Sequence, residues 1–259
     1  MRIDAHVHLQ DIEQDMNVQI NALQSQYNKL RIEKALLIPS DHTQRNEDVA
    51  TIRNKFNKLF DLVCLIDFGS TDFSSLEGQM EYYLDTLKCV GFKIHPRYQG
   101  ISLTDKRIIT AVQIAGKMRL PVIIDCLPSR GQIRIMDMLP LLVDEIAMSC
   151  PKTPIIMSHM GGHRVLDALI VAIKNPNVFM DVSAVMIKYH GSTIMEDIAY
   201  CIAQLVDTGK ILFGSDYPAF SPCATYKLLK KIAKKKHLKH YQMENIMGQN
   251  LMKIMEKRK

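Results

Sequence analysis

Short apolar runs recur at regular intervals along the chain, and longer segments with helical spacing separate them. In the second long segment, for example, Val49, Ile52, Phe56 and Leu59 follow one another at steps of three or four residues, as on one face of an α-helix. The runs that predict β-strands are residues 2–8, 34–39, 62–68, 90–95, 121–126, 155–159, 178–183 and 211–216.

The alternation of eight strands with helices predicts a parallel sheet that is covered by helices. The length of 259 residues is close to the ~250 residues typical of an eight-stranded α/β barrel. We therefore expect an α/β fold, a (β/α)8 TIM barrel that forms a single domain over residues 1–259, with an extra C-terminal helix at residues 244–252. No Gly-x-Gly-x-x-Gly motif follows the first run, which argues against a dinucleotide-binding sheet.

The composition is that of an ordinary soluble globular protein, with 47% hydrophobic and 23% charged residues. No apolar run approaches the ~18 residues that span a bilayer, and no basic segment precedes an apolar one at the N-terminus. The six cysteines are scattered and form no Cys-x-x-Cys pair, which favours reduced thiols. We expect a cytoplasmic protein without a membrane partner.

The formal net charge is +6, and a run of lysines near the C-terminus carries much of it. These residues are Lys227, Lys230, Lys231, Lys234, Lys235, Lys236 and Lys239. Leu228, Leu229 and Ile232 lie among them, so the run is typical of a solvated helix face with an apolar side. A nucleic-acid surface would need interleaved aromatic residues or a known motif, and neither is present, so nucleic acid is not an expected partner.

Candidate chemistry begins at the first strand, where polar and apolar residues alternate. Because a strand turns every second side chain to the same face, Asp4, His6 and His8 are expected on one side and the apolar residues on the other. Two imidazoles on one face can bind a single metal ion. Alone, the His-x-His pattern is also compatible with two surface histidines on an edge strand.

Further polar residues fall at the C-terminal ends of later strands, which is where α/β barrels carry their active sites. They are Lys93, His95, Arg97, Asp125, His159 and Asp216. Any one of them could cap a turn or a helix. Independent caps would not gather imidazoles and carboxylates at one rim of the barrel, so together they predict an active site.

These segments resemble the amidohydrolase superfamily, specifically the amidohydrolase-related branch (amidohydrolase 2) that is similar to aminocarboxymuconate semialdehyde decarboxylase. The resemblance covers essentially the whole chain. The matching motifs are DAHVH at 4–8, GFKIHP at 91–96, HMGG at 159–162, FGSDYP at 213–218 and the closing helix around 245–250.

The resemblance implies a divalent metal, usually zinc, bound by His6, His8 and Asp216. It also implies that Asp216 accepts a proton during the reaction. His159 would act as the acid/base or as the group that stabilises an oxyanion.

The same resemblance places Lys93, His95 and Arg97 in the mouth of the barrel. Two cationic side chains there would bind a small anionic or polar substrate.

One position departs from the pattern, because Asp125 stands where the family usually has a histidine at the end of the fifth strand. A carboxylate still coordinates zinc, at about 2.0–2.2 Å. It shifts the preference of the site towards Mn²⁺ or Fe²⁺ relative to an all-imidazole set. We expect the ligands His6, His8, Asp125 and Asp216. Two alternatives stay open: His95 supplies the missing imidazole, or Asp125 no longer binds metal and the site is weak or empty.

The sequence therefore predicts a metal-dependent hydrolase of the amidohydrolase type. It would cleave a C–O or C–N bond of an amide, ester or lactone through a metal-activated water. The alternative within the same architecture is a metal-dependent, non-oxidative decarboxylase of a small unsaturated or aromatic acid. A metal-free binding barrel and a metal-dependent nuclease are further alternatives; by resemblance, the lack of a glutamate in place of Lys93 disfavours the nuclease. A homo-oligomer is compatible with all of these.

Overall fold

Parallel pairing links eight strands in chain order, as the sequence predicts. The computed structural model describes residues 1–9, 16–40, 43–70, 74–128 and 133–256. The strands are β1 (Arg2–Val7), β2 (Ile32–Leu37), β3 (Phe60–Leu65), β4 (Gly91–Ile94), β5 (Val122–Ile124), β6 (Ile155–Met157), β7 (Val178–Asp181) and β8 (Ile211–Leu212). All eight end before the predicted boundary, by one to four residues.

Helices connect the strands and cover the outside of the sheet. The α-helices are α1 (Met16–Leu30), α2 (Asn46–Lys55), α3 (Leu76–Asp85), α4 (Pro96–Gln99), α5 (Lys106–Lys117), α6 (Leu142–Ser149), α7 (Val165–Lys174), α8 (Val185–Lys188), α9 (Ile194–Leu205), α10 (Pro222–Lys235), α11 (His240–Glu244) and α12 (Asn250–Glu256). Short 3₁₀ segments occur at Ile135–Met138, Ser158–Arg164 and Val206–Thr208. No helix in these described parts of the chain is long and apolar enough to span a bilayer.

The barrel is closed by backbone hydrogen bonds between β1 and the segment around β8. Ala5 N donates to Phe213 O at 2.8 Å, and Asp216 N donates to His6 O at 2.8 Å. Val7 and Tyr217 form a parallel bridge. The predicted closed (β/α)8 barrel is therefore confirmed.

Two apolar clusters hold the barrel together. The inner cluster takes residues from most strands, including Ile3, Val63, Ile123 and Ile156, and α12 closes it from below with Leu251. The outer cluster lies between the strands and the helices. This separation follows from the two-residue period of the strands, which turns successive side chains to opposite faces.

Side chains do not alternate regularly between the two faces of β1, and the prediction that Asp4 shares a face with His6 and His8 is wrong. The pairing of β1 with β2 is irregular between Asp4 and Val7. Because of this irregularity, Asp4 does not lie in one row with His6: its carboxylate accepts a hydrogen bond from Tyr27 Oη on α1 at 3.0 Å. Burial raises the pKa of Asp4 to about 7.

The predicted closing helix at residues 244–252 is present in a modified form. A π-helical turn at Asn245–Gln249 leads into α12, and Phe213 N donates to Ile246 O at 2.9 Å. A Cβ atom at Gly248 would lie 2.5 Å from Met1 O and 2.9 Å from Arg2 Cα. Glycine is thus required here because the turn packs directly on the backbone of β1.

We expect Gly248→Ala to destabilise the protein, because the added methyl group can be accommodated only by moving the backbone of β1. The free energy of unfolding should fall by about 1–3 kcal/mol in urea denaturation. Gly69→Ala is the matched control, since its Cβ would meet only Asp67 Oδ1 at 3.6 Å. Equal stabilities of the two variants would contradict the close packing of the closing turn.

Candidate metal centre

Three of the predicted residues meet at the C-terminal end of the barrel. His6 lies on β1, His159 follows β6, and Asp216 follows β8. One potential ligand atom from each lies within 4.8 Å of the other two, and this is the one such group of His, Cys, Asp and Glu found among the described residues. His8 is adjacent, with its Nε2 3.3 Å from Asp216 Oδ1.

Backbone conformation presents two of these side chains. His159 has a φ of 57° and Asp216 a φ of 65°, both in the left-handed region, where non-glycine residues are uncommon. After His159 the chain stays left-handed through Met160 to Gly162, where a Cβ would lie 2.9 Å from Leu127 Cδ1. The Gly-Gly pair of the predicted motif therefore allows a tight turn that a larger residue would block.

The hydrogen bonds of the imidazoles direct their lone pairs towards this group. His8 Nδ1 lies 3.0 Å from the carbonyl oxygen of Ile38, which can only accept. His8 Nδ1 therefore carries the proton, and Nε2 presents its lone pair to Asp216. His6 has the same arrangement, with Nδ1 3.1 Å from Asp181 Oδ2 and Nε2 3.8 Å from Asp216 Oδ1.

A nitrogen lone pair and a carboxylate repel each other, so this arrangement is stable only with a cation between them. Burial and the ammonium group of Lys93 lower the pKa of His6 to about 4, so at neutral pH this imidazole is an uncharged potential ligand. Although burial opposes ionisation, positive charge on the neighbouring imidazoles holds the pKa of Asp216 well below its ordinary value, and a metal ion among them would have the same effect. The donor set therefore fits a divalent metal ion.

Asp125 lies beside this group but outside the set of three. It is fully buried, and its Oδ2 accepts a hydrogen bond from Arg97 Nε at 2.9 Å. Its Oδ1 has no hydrogen-bond partner among the described residues, although His159 Nε2 is 3.2 Å away. A buried carboxylate oxygen without a partner is costly, so this atom is also available to a cation. Its role as a ligand stays a prediction.

His159 is held between Asp125 and β7. Its Nδ1 lies 3.1 Å from Ser183 O, so Nδ1 donates and Nε2 faces Asp125. Burial lowers the pKa of His159, but Asp125, Asp216 and Asp181 together raise it above its ordinary value. A proton or a metal ion between Nε2 and Asp125 Oδ1 would remove the repulsion between these two electron-rich atoms.

The residues predicted to bind substrate lie along one side of the metal group. Lys93 is fully buried, and its Nζ donates to Ser158 Oγ at 2.9 Å. Arg97 lies closer to the mouth, with its guanidinium over the Tyr98 ring at 4.2 Å. The His95 ring is also 4.2 Å from that of Tyr98, and its buried Nδ1 has no hydrogen-bond partner among the described residues.

Tyr98 also lines a large cleft. The cleft has a volume of about 670 Å³ and lies between the segments that follow β2, β3 and β4, where Arg45 and Phe68 contribute to its walls. That volume is within the range of small-molecule sites. Tyr98 therefore contacts His95 and also forms part of the wall of this cleft.

Asp181, at the end of β7, is the functional residue that the sequence analysis missed. It is fully buried and contacts His6, and its own pKa is held well below the ordinary value despite burial, chiefly by His6 and His159. The rule used for the other site residues did not select it, because the predicted strand runs to residue 183 whereas β7 ends at Asp181.

Comparisons with known proteins agree with this geometry. Residues 3–250 match the sequence profile of a family described as amidohydrolase. No curated protein matches the chain. Several solved structures share the fold at low sequence identity.

Three of these structures are informative. An uncharacterised TIM-barrel protein, Bb4693 from Bordetella bronchiseptica, has a TM-score of 0.80 at 17% identity over 99% of both chains. An amidohydrolase from Burkholderia multivorans with bound zinc has a TM-score of 0.72 at 14% identity, also over 99% of both chains. A 2,6-dihydroxybenzoate decarboxylase complexed with 2,6-dihydroxybenzoate has a TM-score of 0.67 at 12% identity, over 98% of this chain and 99% of the other. At these identities the likeness establishes the fold.

We expect the metal-free protein to take up a divalent ion and to gain stability from it. Zn²⁺ at 100 times its dissociation constant should raise the free energy of unfolding by about 2.7 kcal/mol. His6→Ala should lower Zn²⁺ affinity by more than the ~10–100-fold typical of outer contacts, because it removes a ligand. Isothermal titration calorimetry and thermal unfolding would measure both effects.

The control for this experiment is His190→Ala, because His190 is exposed and lies outside the metal group. It should bind Zn²⁺ as the wild type does. Equal losses in the two variants would indicate non-specific binding to histidines.

Proposed function

The chain belongs to the amidohydrolase family, and on this premise we propose that it is a metal-dependent hydrolase that cleaves a C–O or C–N bond of an amide, ester or lactone. Its substrate would be a small carbonyl compound that is anionic or polar. The observation that carries the proposal is the convergence of two Nε2 lone pairs, from His6 and His8, on the ionised carboxylate of Asp216. Two imidazole lone pairs and a carboxylate repel one another unless a cation lies between them, so the arrangement indicates a cation-binding site.

We propose His6, His8 and Asp216 as ligands, with Asp125 Oδ1 completing the set. Zinc is the first candidate because imidazoles form half of this set, and the carboxylates make Mn²⁺ or Fe²⁺ acceptable as well. When bound, the ion would polarise the substrate carbonyl and lower the pKa of a coordinated water to about 7.

The charges of the site support a cationic occupant. The carboxylates of Asp125, Asp181 and Asp216 are opposed by Lys93 and Arg97, which leaves one net negative charge while the imidazoles are neutral. A divalent ion reverses this to one net positive charge. The loaded site would therefore attract an anionic or electron-rich substrate group.

Two residues would then carry the proton transfers. Asp216 is ionised at neutral pH and accepts the proton of the attacking water. His159, held by Ser183 and with a raised pKa, is placed to donate a proton or to stabilise the charge that builds on the carbonyl oxygen. Arg97 and His95 would contact the substrate at the side that leads to Tyr98 and the cleft.

We expect His159→Ala to lower the rate of hydrolysis by about 10²–10³, because it removes a group that stabilises charge in the transition state. Metal content should stay near that of the wild type, since His159 is assigned to proton transfer. The measurement is kcat/KM on a panel of lactones, esters and amides, with metal content determined on the same samples. Loss of the metal together with activity would instead make His159 a ligand.

A second candidate is the non-oxidative decarboxylation of a small unsaturated or aromatic acid. The raised pKa of His159 favours it, because a protonated group beside the metal could deliver a proton to carbon. Arg97 would suit the substrate carboxylate. Release of CO₂ from a carboxylated aromatic substrate, without consumption of water, would decide for this reaction over hydrolysis.

A further inference from the structure

Asp181 lies one layer behind the metal group and contacts two of its members. Its Oδ2 is 3.1 Å from His6 Nδ1. Its Oδ1 accepts a hydrogen bond from the backbone N–H of His159 at 3.1 Å. A single carboxylate thus supports residues that are 153 positions apart in the chain.

The first of these contacts fixes the tautomer of His6. An ionised carboxylate can only accept, so Nδ1 of His6 must carry the proton and Nε2 must keep its lone pair. The backbone of β1 determines the position of the His6 ring. It does not determine which ring nitrogen carries the proton.

The second contact holds a strained stretch of main chain. His159 has a φ of 57° and Ala184 a φ of 56°. Asp181 Oδ1 accepts from the N–H of His159 and, at 3.0 Å, from that of Ser183; it also accepts from Ser183 Oγ. Left-handed residues persist where surrounding bonds over-determine them, and this oxygen supplies three such bonds.

We propose that Asp181 is a positioning residue, which fixes the tautomer of His6 and the backbone of His159 and thereby sets the affinity of the site for its divalent cation. This inference rests on the proposed function. It adds to that function a residue that contacts neither the metal nor the substrate.

Asp181→Asn is the sharpest test, because the geometry determines how the amide must sit. Its oxygen has to occupy the Oδ1 position, where three donors converge. The NH₂ group then faces His6 Nδ1 and donates to it, which moves the imidazole proton to Nε2. Before Nε2 can bind metal, its proton must return to Nδ1, where it faces the amide NH₂ group, so Zn²⁺ affinity should fall by about 10–100-fold.

Two measurements follow this change. Isothermal titration with Zn²⁺ alone gives the affinity. The ¹⁵N shifts of the His6 ring, recorded on metal-free protein, give the tautomer: Nδ1–H in the wild type and Nε2–H in the variant. A merely structural role for Asp181 would not move the proton.

Asp4→Asn is the matched control. Asp4 is as deeply buried as Asp181 and accepts from Ser215 N at 2.8 Å and from the backbone N–H of His6 at 3.2 Å. It does not contact the His6 ring. Zn²⁺ affinity should change by less than about threefold, and the His6 tautomer should stay as in the wild type.

The outcomes are distinguishable. An Nε2–H tautomer in the wild type, or Asp181→Asn binding Zn²⁺ as tightly as the wild type, overturns the inference. A wild type that binds no divalent ion overturns the proposed function; the assigned role in setting metal affinity then falls with it, while the ring shifts still test the tautomer. If Asp181→Asn does not fold, the inference is tested by the ¹⁵N shifts of the His6 ring in the wild type, which must show the Nδ1–H tautomer.

Discussion

The site depends on the hydrogen bonds that close the barrel between β1 and β8. Asp216 N donates to His6 O, so one of the hydrogen bonds that close the barrel joins two of the proposed ligands directly. Without this closure, His6 and Asp216 would lie at opposite edges of an open sheet. The metal group is therefore a direct consequence of the eight-strand topology, and not a loop feature added to it.

The proposed metal chemistry also depends on charge balance in a buried space. Asp125, Asp181 and Asp216 are held ionised by imidazoles and by Arg97, although burial alone would protonate them. Lys93 lies among these carboxylates and has no exposed surface. Its ammonium group offsets negative charge there, and the substrate contact that the resemblance implied stays a prediction.

Much of this arrangement could be predicted from the sequence, because it follows from two local patterns: the periodicity of strands and the polar residues at their ends. Strand periodicity located all eight strands, and the position of polar residues at strand ends gathered His6, His159 and Asp216. The side to which Asp4 turns could not be predicted, since one irregularity in the pairing of β1 reverses it. Asp181 was missed because the predicted strand continued to residue 183, and no motif marks an aspartate whose partner, His6, is distant in the chain.

The closure of the barrel has a consequence for the order in which the protein matures. His6 and His8 leave the ribosome more than two hundred residues before Asp216. Until β8 and the turn at Gly248 have docked on β1, a nascent chain has imidazoles but no complete ligand set. The proposed metal site would therefore be complete only in chains whose barrel has closed.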